Sequence, residues 1–314
     1  MVYIGIDVGG TGVQLGVVDE NGKILERGEL VTHTDISPEE MIARMAQCAI
    51  DTLKRSGYSM DDLKAVGAGI PGIVDPRTQR IPFCNNLGWH DVPFAEIFRR
   101  TLDKPVYVDN DATVAGLAES VAGKTAGTSS SVFVTLGTGV GGGIIINGKP
   151  WSGAHGVGSE IGHMILELDG EPCNCGNHGC LERYCSATAI IRMAREQVQV
   201  HPDSMIMELC GGDPEKINAK MVFDAAREDD PLGLKLFRRF TRNLAQALVS
   251  IIQFLDPEMI VLGGGVSKAG DFLLNAVKAE IPHLLLYKTM PYADIELATL
   301  GADAGIIGAA MLGR

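Results

Sequence analysis

Three cysteines and one histidine lie close enough in the sequence to bind a single metal ion. The segment CNCGNHGCLE, residues 173–182, contains Cys173, Cys175 and Cys180, and His163 lies upstream in EIGH. Three thiolates and one imidazole suit tetrahedral Zn²⁺, most often in a structural role. The sequence therefore predicts a zinc site, which could be a free-standing structural knuckle or part of a functional site.

Two glutamates flank this ligand set without belonging to it. Glu160 opens EIGH, and Glu182 follows Cys180 by two residues. The default place for a glutamate is the exposed surface. Beside a loop that a metal holds rigid, the same carboxylates could bind a polar ligand, and the residues alone leave both possibilities open.

Three glycine-rich loops each follow an apolar run that is typical of a strand. In chain order they contain Asp7, Gly9, Gly10, Thr11 and Gly12, then Gly137, Thr138 and Gly139, then Gly263, Gly264 and Gly265. Glycine lets backbone N–H groups converge on a phosphate, although it is also the default residue of a tight turn. Asp7 adds a carboxylate that could organise Mg²⁺ through water. Together the loops favour a nucleotide site, and none matches GxxxxGK[ST], which excludes a P-loop.

The first two loops belong to an internal repeat. GTGV occurs at residues 10–13 and again at 137–140, each time between two apolar runs. Both copies then continue to Asn-Gly-Lys, at 21–23 and 147–149. We interpret the chain as two related halves, each opening with a glycine hairpin.

The segment Val108-Asp109-Asn110-Asp111 places an acid, an amide and an acid at the end of a predicted strand. Side chains at strand ends in α/β proteins often face a cleft. Asp111 could accept the proton of a hydroxyl group during phosphoryl transfer, with Asn110 as a hydrogen-bonding neighbour. The alternative is a cap on the helix predicted to follow.

Composition and periodicity predict an α/β protein. The chain has 314 residues, of which 46% are hydrophobic and 39 are glycine. The pattern predicts strands at 2–8, 65–72, 105–111 and 259–266 and helices at 38–57, 93–102 and 301–313, with a mainly helical stretch up to 255. We place a domain boundary near residue 115: a smaller lobe, 1–115, to which the helix at 301–314 returns, and a larger lobe, 116–300.

Charge and the N-terminus limit the partners and the location that we expect. The formal net charge is −12 and no basic run is present, which argues against a nucleic-acid partner. Asp7 interrupts the apolar N-terminal run, so no signal peptide is predicted. The longest apolar helical stretch, 245–255, is too short to cross a bilayer. We therefore expect a cytoplasmic protein with reduced thiols and no membrane partner.

Five conspicuous residues are assigned to packing. Cys48, Cys84 and Cys210 lie outside the metal-type spacing and are interpreted as small core residues. Trp89 and Trp151 are interpreted as packing residues at the edge of a cleft, because tryptophans are usually largely buried.

Together these motifs resemble the ROK family of sugar kinases, within the actin-like ATPase superfamily, and the resemblance covers nearly the whole chain. DVGGTGVQLGVVD (7–19) resembles the first phosphate loop, GTGVGGGI (137–144) the second, and LGGGV (262–266) the adenosine loop. EIGH and CNCGNHGCLE resemble the sugar and zinc signatures, and the cysteine signature is the most specific. Gly12 departs from the family pattern, in which many members have a polar residue there.

The resemblance implies a fold and a role for each matching position. The fold would be the actin-like (ribonuclease H-like) ATPase fold, with two lobes around a cleft. Asp111 would be the catalytic base. The sugar would be bound by Gly72, Asn86, Asn110, Asp111, Gly139, Glu160, His163 and Glu182. A structural zinc ion would be held by His163, Cys173, Cys175 and Cys180, and the glycine loops would bind ATP with Mg²⁺.

The function implied is ATP-dependent phosphorylation of a hexose, with glucose the first choice and glucose 6-phosphate the product. Another ROK sugar kinase, acting on fructose, mannose, allose or N-acetylmannosamine, is the alternative. A ROK-type transcriptional regulator is the remote alternative, because such relatives carry a DNA-binding segment before the first phosphate loop, whereas the first strand here is predicted to begin at residue 2. The family also suggests a homodimer or homotetramer.

Overall fold

Strands and helices alternate along the chain in the computed structural model, which describes residues 1–314. The strands are β1 Val2–Val8, β2 Gly12–Asp19, β3 Ile24–Val31, β4 Leu63–Ile70, β5 Ile73–Asp75, β6 Arg80–Cys84, β7 Trp89–Val92, β8 Val106–Asn110, β9 Ser130–Leu136, β10 Val140–Ile146, β11 Lys149–Pro150, β12 Met259–Gly263 and β13 Asp294–Leu297. The helices are α1 Pro38–Arg55, α2 Phe94–Thr101, α3 Asp111–Ala122, α4 Glu182–Cys185, α5 Ala187–Val198, α6 Met205–Leu209, α7 Ala219–Arg227, α8 Pro231–Leu255, α9 Asp271–Leu284 and α10 Ala304–Met311. Every element that the hydrophobic pattern predicts is present.

Two five-stranded sheets have the same strand order, which accounts for the repeat in the sequence. The orders are β3-β2-β1-β4-β8 and β11-β10-β9-β12-β13. In the first sheet β1 to β3 are antiparallel, while β4 and β8 run parallel to β1. In the second, β10 and β11 are antiparallel, and β12 and β13 are parallel. The two glycine hairpin turns, β1–β2 and β9–β10, therefore occupy equivalent places. Strands β5 to β7 form a small third sheet.

The chain divides into two compact units. The first comprises Met1–Phe133, Gly143–Ser159 and Ala298–Arg314, and the second comprises Val134–Gly142 and Glu160–Leu297. The first unit includes α10, and it continues well beyond residue 115, which lies inside α3. Strands β9 and β10 each contribute residues to both units.

Helix α10 lies directly against β1 and β4 because glycines leave room for its backbone. A Cβ atom on Gly5 would overlap the carbonyl oxygen of Ile306, and one on Gly67 would overlap that of Ala309. Ile4 and Ile6, which alternate with Gly5, are fully buried in the core cluster that contains the apolar face of α1. The first sheet is therefore covered on both faces, by α1 on one and by α10 on the other.

The second unit is organised around the long helix α8. Asp230 caps its N-terminus by accepting the N–H of Gly233 at 2.7 Å. Leu244, Leu248 and Ile251, which the helical spacing places on one face, are all buried. None of the helices of the chain combines the length and the apolar character that crossing a membrane requires.

A fully buried carboxylate holds the returning chain segment against α3. The side chain of Glu119 has no exposed surface. It accepts hydrogen bonds from the N–H groups of Thr299 at 2.8 Å, Leu300 at 3.0 Å and Lys124 at 2.7 Å, and from the Thr299 hydroxyl at 3.1 Å. Hydrogen bonds to a charged acceptor are roughly twice as strong as neutral ones. Glu119 therefore joins the segment that leads into α10 to helix α3 through hydrogen bonds.

We expect Glu119→Gln to lower the free energy of unfolding by about 3 kcal/mol, since the new amide group must face backbone donors that the carboxylate now accepts. Urea denaturation of the variant measures this loss. Glu96→Gln, on the exposed face of α2, is the matched control and should change the free energy by less than about 0.5 kcal/mol. A Glu119 variant as stable as this control would contradict the attachment.

Candidate active site

Asn110 and Asp111 lie where β8 ends and α3 begins. Asn110 is the N-cap of α3, and its Oδ1 atom accepts the N–H groups of Ala112 at 2.9 Å and Thr113 at 3.3 Å. Asp111 is the first residue of the helix, and its Oδ1 atom accepts the N–H of Ala112 at 2.8 Å. The cap is thus Asn110, and Asp111 lies at the helix N-terminus, where the peptide dipoles favour a negative charge.

The amide of Asn110 also connects this junction to the loop after β4. Its Nδ2 atom donates to the carbonyl of Gly72 at 3.2 Å. Gly72 itself lies against Cys84, and a Cβ atom at this position would lie 2.6 Å from the carbonyl oxygen of Phe83. With Oδ1 used by the cap and one amide hydrogen used by Gly72, Asn110 has one N–H left for a ligand.

Cys84 lies among these residues as a buried thiol. Burial raises the pKa of Cys84, and the nearby Asp111 carboxylate raises it further, whereas the N–H groups of Leu87 and Asn86 lower it. Gly72, Asn86 and Asp111 thus lie near one core cysteine, and Asn110 is joined to them through Gly72. Asn86 is exposed in a short 3-10 helix, Asn85–Leu87.

The first glycine turn presents two backbone N–H groups to solvent. The N–H of Gly9 donates to the carbonyl of Gly12 at 2.9 Å and closes the turn. Gly10 and Thr11 at its tip are exposed, and their N–H groups have no acceptor. Thr32, which sequence reasoning missed, braces the turn because its hydroxyl donates to the carbonyl of Gly9 at 2.7 Å. Such a turn can bind an anion such as a phosphate.

Asp7 lies at the end of β1 beside this turn, in close contact with α10. Burial raises the pKa of Asp7. A Cβ atom on Gly305 would overlap the Asp7 carboxylate. Gly305 is therefore a positioning residue for Asp7 that no local pattern indicated, because the two residues lie at opposite ends of the sequence.

The second glycine turn is tied to the N-terminus of α5. The N–H of Gly137 donates to the carbonyl of Gly139 at 2.9 Å. The N–H of Ala187 donates to the carbonyl of Gly137 at 2.8 Å, and the Thr188 hydroxyl donates to that of Thr138 at 2.7 Å. The turn carbonyls are thus occupied, while the N–H groups of Thr138 and Gly139 have no acceptor. As in the first turn, two N–H groups at the tip are therefore available to an anion.

Glu182, at the start of α4, packs against the same turn. Its Oε2 atom accepts the N–H of Val140 at 2.9 Å. A Cβ atom on Gly139 would overlap the Glu182 carboxylate, so glycine lets this carboxylate lie directly against the turn. Glu182 is therefore not a plain surface acid, and its Oε1 atom has no hydrogen-bond partner.

The third glycine loop rests on the second. Gly264 has a φ of 83°, and a Cβ atom there would lie 2.5 Å from the carbonyl oxygen of Leu136, the residue before Gly137. The Ser267 hydroxyl donates to the Gly264 carbonyl at 2.8 Å. Gly263 ends β12, and nothing lies within 4 Å of the Cβ position of Gly265. The loop thus leaves open space beside the second phosphate-type turn.

His163, Cys173, Cys175 and Cys180 form one cluster whose ligand atoms all lie within 4.8 Å of one another. The Sγ atoms of Cys175 and Cys180 are 3.6 Å apart, and His163 Nδ1 is 3.7 Å from Cys173 Sγ. Two ligands about 2.3 Å from a tetrahedral zinc ion would be separated by about 3.8 Å, whereas a disulfide bond is about 2.0 Å long. The donor atoms therefore fit a tetrahedral zinc ion.

The close packing of the cluster shifts the pKa values of its thiols. Desolvation, together with the neighbouring thiols of Cys175 and Cys173, raises the pKa of Cys180 to about 12. The N–H of Asn177 lowers the pKa of Cys175. A divalent metal ion would hold these thiols as thiolates. Nδ1 is the nitrogen of His163 that lies 3.7 Å from Cys173 Sγ, so a metal ion bound there would leave Nε2 to carry a proton.

The sugar-type residues fall into two sets, one in each unit. Gly72, Asn86, Asn110 and Asp111 lie in the first unit, and Gly139, Glu160, His163 and Glu182 lie in the second. In the second set Glu160 is exposed, and its carbonyl accepts the N–H of His163 at 3.0 Å.

The sequence model of the ROK family matches residues 3–314. The chain belongs to the ROK family. Among ROK relatives, the glucokinase of Halalkalibacterium halodurans is 38% identical over 314 residues, which cover 99% of this chain and 94% of that protein. The glucokinase of Thermotoga maritima is 36% identical over 310 residues, or 98% of this chain and 96% of that one.

A solved ROK structure has the same fold. The ROK family glucokinase from Streptomyces griseus, crystallised with glucose and AMPPNP, superposes with a TM-score of 0.83 and is 33% identical. The superposition covers 99% of each chain. This ROK chain is therefore a sugar kinase with the actin-like ATPase fold.

We expect Gly305→Ala to weaken binding of AMPPNP with Mg²⁺ on the order of tenfold, because the added methyl group displaces the Asp7 carboxylate. Without this clash, alanine would stabilise the helix by about 1 kcal/mol. Calorimetric titration with Mg²⁺ and with EDTA measures the effect, which should shrink without the metal. Asp303→Ala, which removes only an exposed ion pair with Arg27, is the control. Equal affinity of Gly305→Ala and this control would contradict the role of Gly305.

Proposed function

We propose that this chain phosphorylates glucose with ATP to give glucose 6-phosphate. The observation that carries the proposal is the carboxylate of Asp111, held at the N-terminus of α3 by an N-cap that also fixes the neighbouring Gly72 loop. The two matched glycine turns support a nucleotide as the phosphoryl donor. The full-length similarity to proteins named glucokinase supports glucose as the acceptor.

Asp111 acts as the general base in this proposal. Its Oδ1 atom is oriented by the N–H of Ala112. The carboxylate accepts the proton of a sugar hydroxyl while that oxygen forms a bond to the γ-phosphorus and the bond from that phosphorus to ADP breaks. Proton transfer to a positioned base typically contributes about 10²- to 10⁴-fold to the rate.

Asp7 and the glycine turns bind the donor. The N–H groups of Gly10 and Thr11 and those of Thr138 and Gly139 donate to phosphate oxygens. When bound, Mg²⁺ neutralises charge on the transferring phosphoryl group, and Asp7 would hold it through water. Burial of Asp7 beside α10 fixes its direction without a competing cation.

Glu160, His163 and Glu182 recognise sugar hydroxyls. Glu182 uses Oε2 for Val140 and offers Oε1 to a hydroxyl donor. A zinc ion on Nδ1 would leave the Nε2–H group of His163 to donate to a sugar oxygen. A bound sugar that lacks the matching hydroxyl would cover these polar groups without pairing them, which costs about 1–3 kcal/mol for each group that loses its water. In this view the zinc ion sets the orientation of a substrate ligand and takes no part in the phosphoryl transfer.

The proposal is tested by a substrate panel of glucose, fructose, mannose, allose and N-acetylmannosamine, with ADP release measured by a coupled assay. We expect the highest kcat/KM with glucose, and a loss of kcat of at least about 10²-fold in Asp111→Ala with AMPPNP binding unchanged. Asp103→Ala, in the exposed loop before β8, is the matched control and should retain full activity. Turnover of another sugar in preference to glucose would overturn the choice of acceptor. Near wild-type turnover by Asp111→Ala would overturn the base.

We expect the wild-type protein to contain about one equivalent of zinc for each chain. Cys180→Ser should lose this zinc, and its KM for glucose should be at least about tenfold higher because His163 is no longer held. Elemental analysis of the purified protein and steady-state kinetics measure the two effects. Cys48→Ser, on the half-buried face of α1, should retain both the zinc and the KM. A metal-free protein with the wild-type KM would contradict the role of the zinc ion.

A further inference from the structure

A cavity of about 470 Å³ lies within the first unit, beside β8 and α10. Its wall combines one acid, two aromatic side chains and an apolar surface. The residues that matter are Asp109, Tyr107, Trp151, Leu117 and Met311. No step of the proposed reaction uses this cavity.

The cavity lies on the opposite side of β8 from the residues around Gly72. Side chains alternate along a strand, so Tyr107 and Asp109 point to one face while Val108 and Asn110 point to the other. Asn110 contacts the Gly72 loop. Asp109 instead lines the cavity with residues of α3 and α10. The two sites therefore share a strand but not a face.

Asp109 is a half-buried carboxylate without a cationic partner. Its Oδ1 atom accepts the N–H of Asn110 at 2.8 Å, and no lysine, arginine or histidine forms an ion pair with it. Burial raises the pKa of Asp109 to about 6, and the Asn110 N–H lowers it only in part. Gln79, which also lines the cavity, is satisfied because its amide accepts from Val108 and donates to Pro76. Asp109 is therefore the group in this cavity that a positively charged ligand could pair with.

The aromatic side chains suit the same ligand. Trp151, which the sequence predicts to lie at the edge of a cleft, is 46% exposed, and Tyr107 is 39% exposed. Aromatic rings attract ammonium groups by about 0.5–2 kcal/mol. Lys149 and Arg314, which also line the cavity, are exposed, and solvent screens their charges.

We propose that this cavity binds a small organic ammonium ion carried on an apolar body. The ammonium group pairs with Asp109, and the body packs between the aromatic rings and the apolar wall of Leu117 and Met311. Asp109 is the acidic side chain of the cavity lining, so the affinity for a cation depends on its charge. The proposal concerns a second site, and it does not depend on the sugar that the active site phosphorylates.

Calorimetric titration with phenethylammonium chloride tests the site, on the full chain without hexose or nucleotide. We expect saturable millimolar binding, at least about tenfold weaker for the neutral analogue phenethyl alcohol and for Asp109→Asn. Asparagine keeps the acceptor for the Asn110 N–H and removes only the charge. Lys149→Met is the matched control and should bind the probe at least as well as the wild type.

The wild-type protein provides a second test that needs no variant at Asp109. The affinity should rise on the order of tenfold between pH 5 and pH 7.5 as Asp109 ionises, while the probe stays protonated. The other titratable or charged side chains that line the cavity are Tyr107, Lys149 and Arg314. Trp151→Phe should abolish any change in fluorescence on binding.

Several results would overturn the proposal. These are no binding of the probe at millimolar concentration, equal binding of the neutral analogue, or an affinity independent of pH. Binding of glucose 6-phosphate that Lys149→Met abolishes would assign the cavity to an anion instead.

Discussion

Backbone contact between α10 and the first sheet is the constraint on which the first unit depends. Gly5 and Gly67 let the helix lie on the sheet, and Gly308 brings it against the carbonyl of Val114 in α3. The same helix places Gly305 beside Asp7. Through α3 it supports the turn that carries Asp111, and its last turn lines the cavity of Asp109. A side chain at any of these glycines would move several functional groups at once.

The two sheets use one topology for different chemistry. Each opens with a hairpin whose glycine turn exposes two N–H groups, and the strand order then repeats. The first hairpin is braced by Thr32 and accompanied by Asp7. The second is braced by α5 and accompanied by Glu182, which belongs to the segment that carries the cysteine cluster. A repeated scaffold thus carries a different acid beside each turn, and we propose that Asp7 serves Mg²⁺ and Glu182 serves the sugar.

Local signals in the sequence predicted most of the elements and the cysteine cluster. Strand β1, the terminal helix and the buried face of α8 follow from hydrophobic periodicity, and the ligand spacing of the cluster lies largely within one short segment. The cap proposed for the β8–α3 junction is also present, although it is Asn110 that provides it. These predictions succeed because the interacting residues are neighbours in the chain.

The contacts that sequence reasoning missed join distant segments. Glu119 accepts from residues about 180 positions away, and Gly305 meets Asp7 near the other end of the chain. The local sequence around Glu119, in a helix, or around Gly305, in a helix of small residues, does not indicate these partners. Only the folded chain shows that one is a buried acceptor and the other leaves room for a carboxylate.

The position of α10 has a consequence for the order in which the protein can be built during synthesis. Strand β1 leaves the ribosome first, yet one face of it is covered by residues 304–311, which are made almost three hundred residues later. Until then the sheet lacks a layer, and Glu119 lacks the donors of Thr299 and Leu300. The first unit to be translated is therefore the last to be completed, and the second unit can fold in the interval.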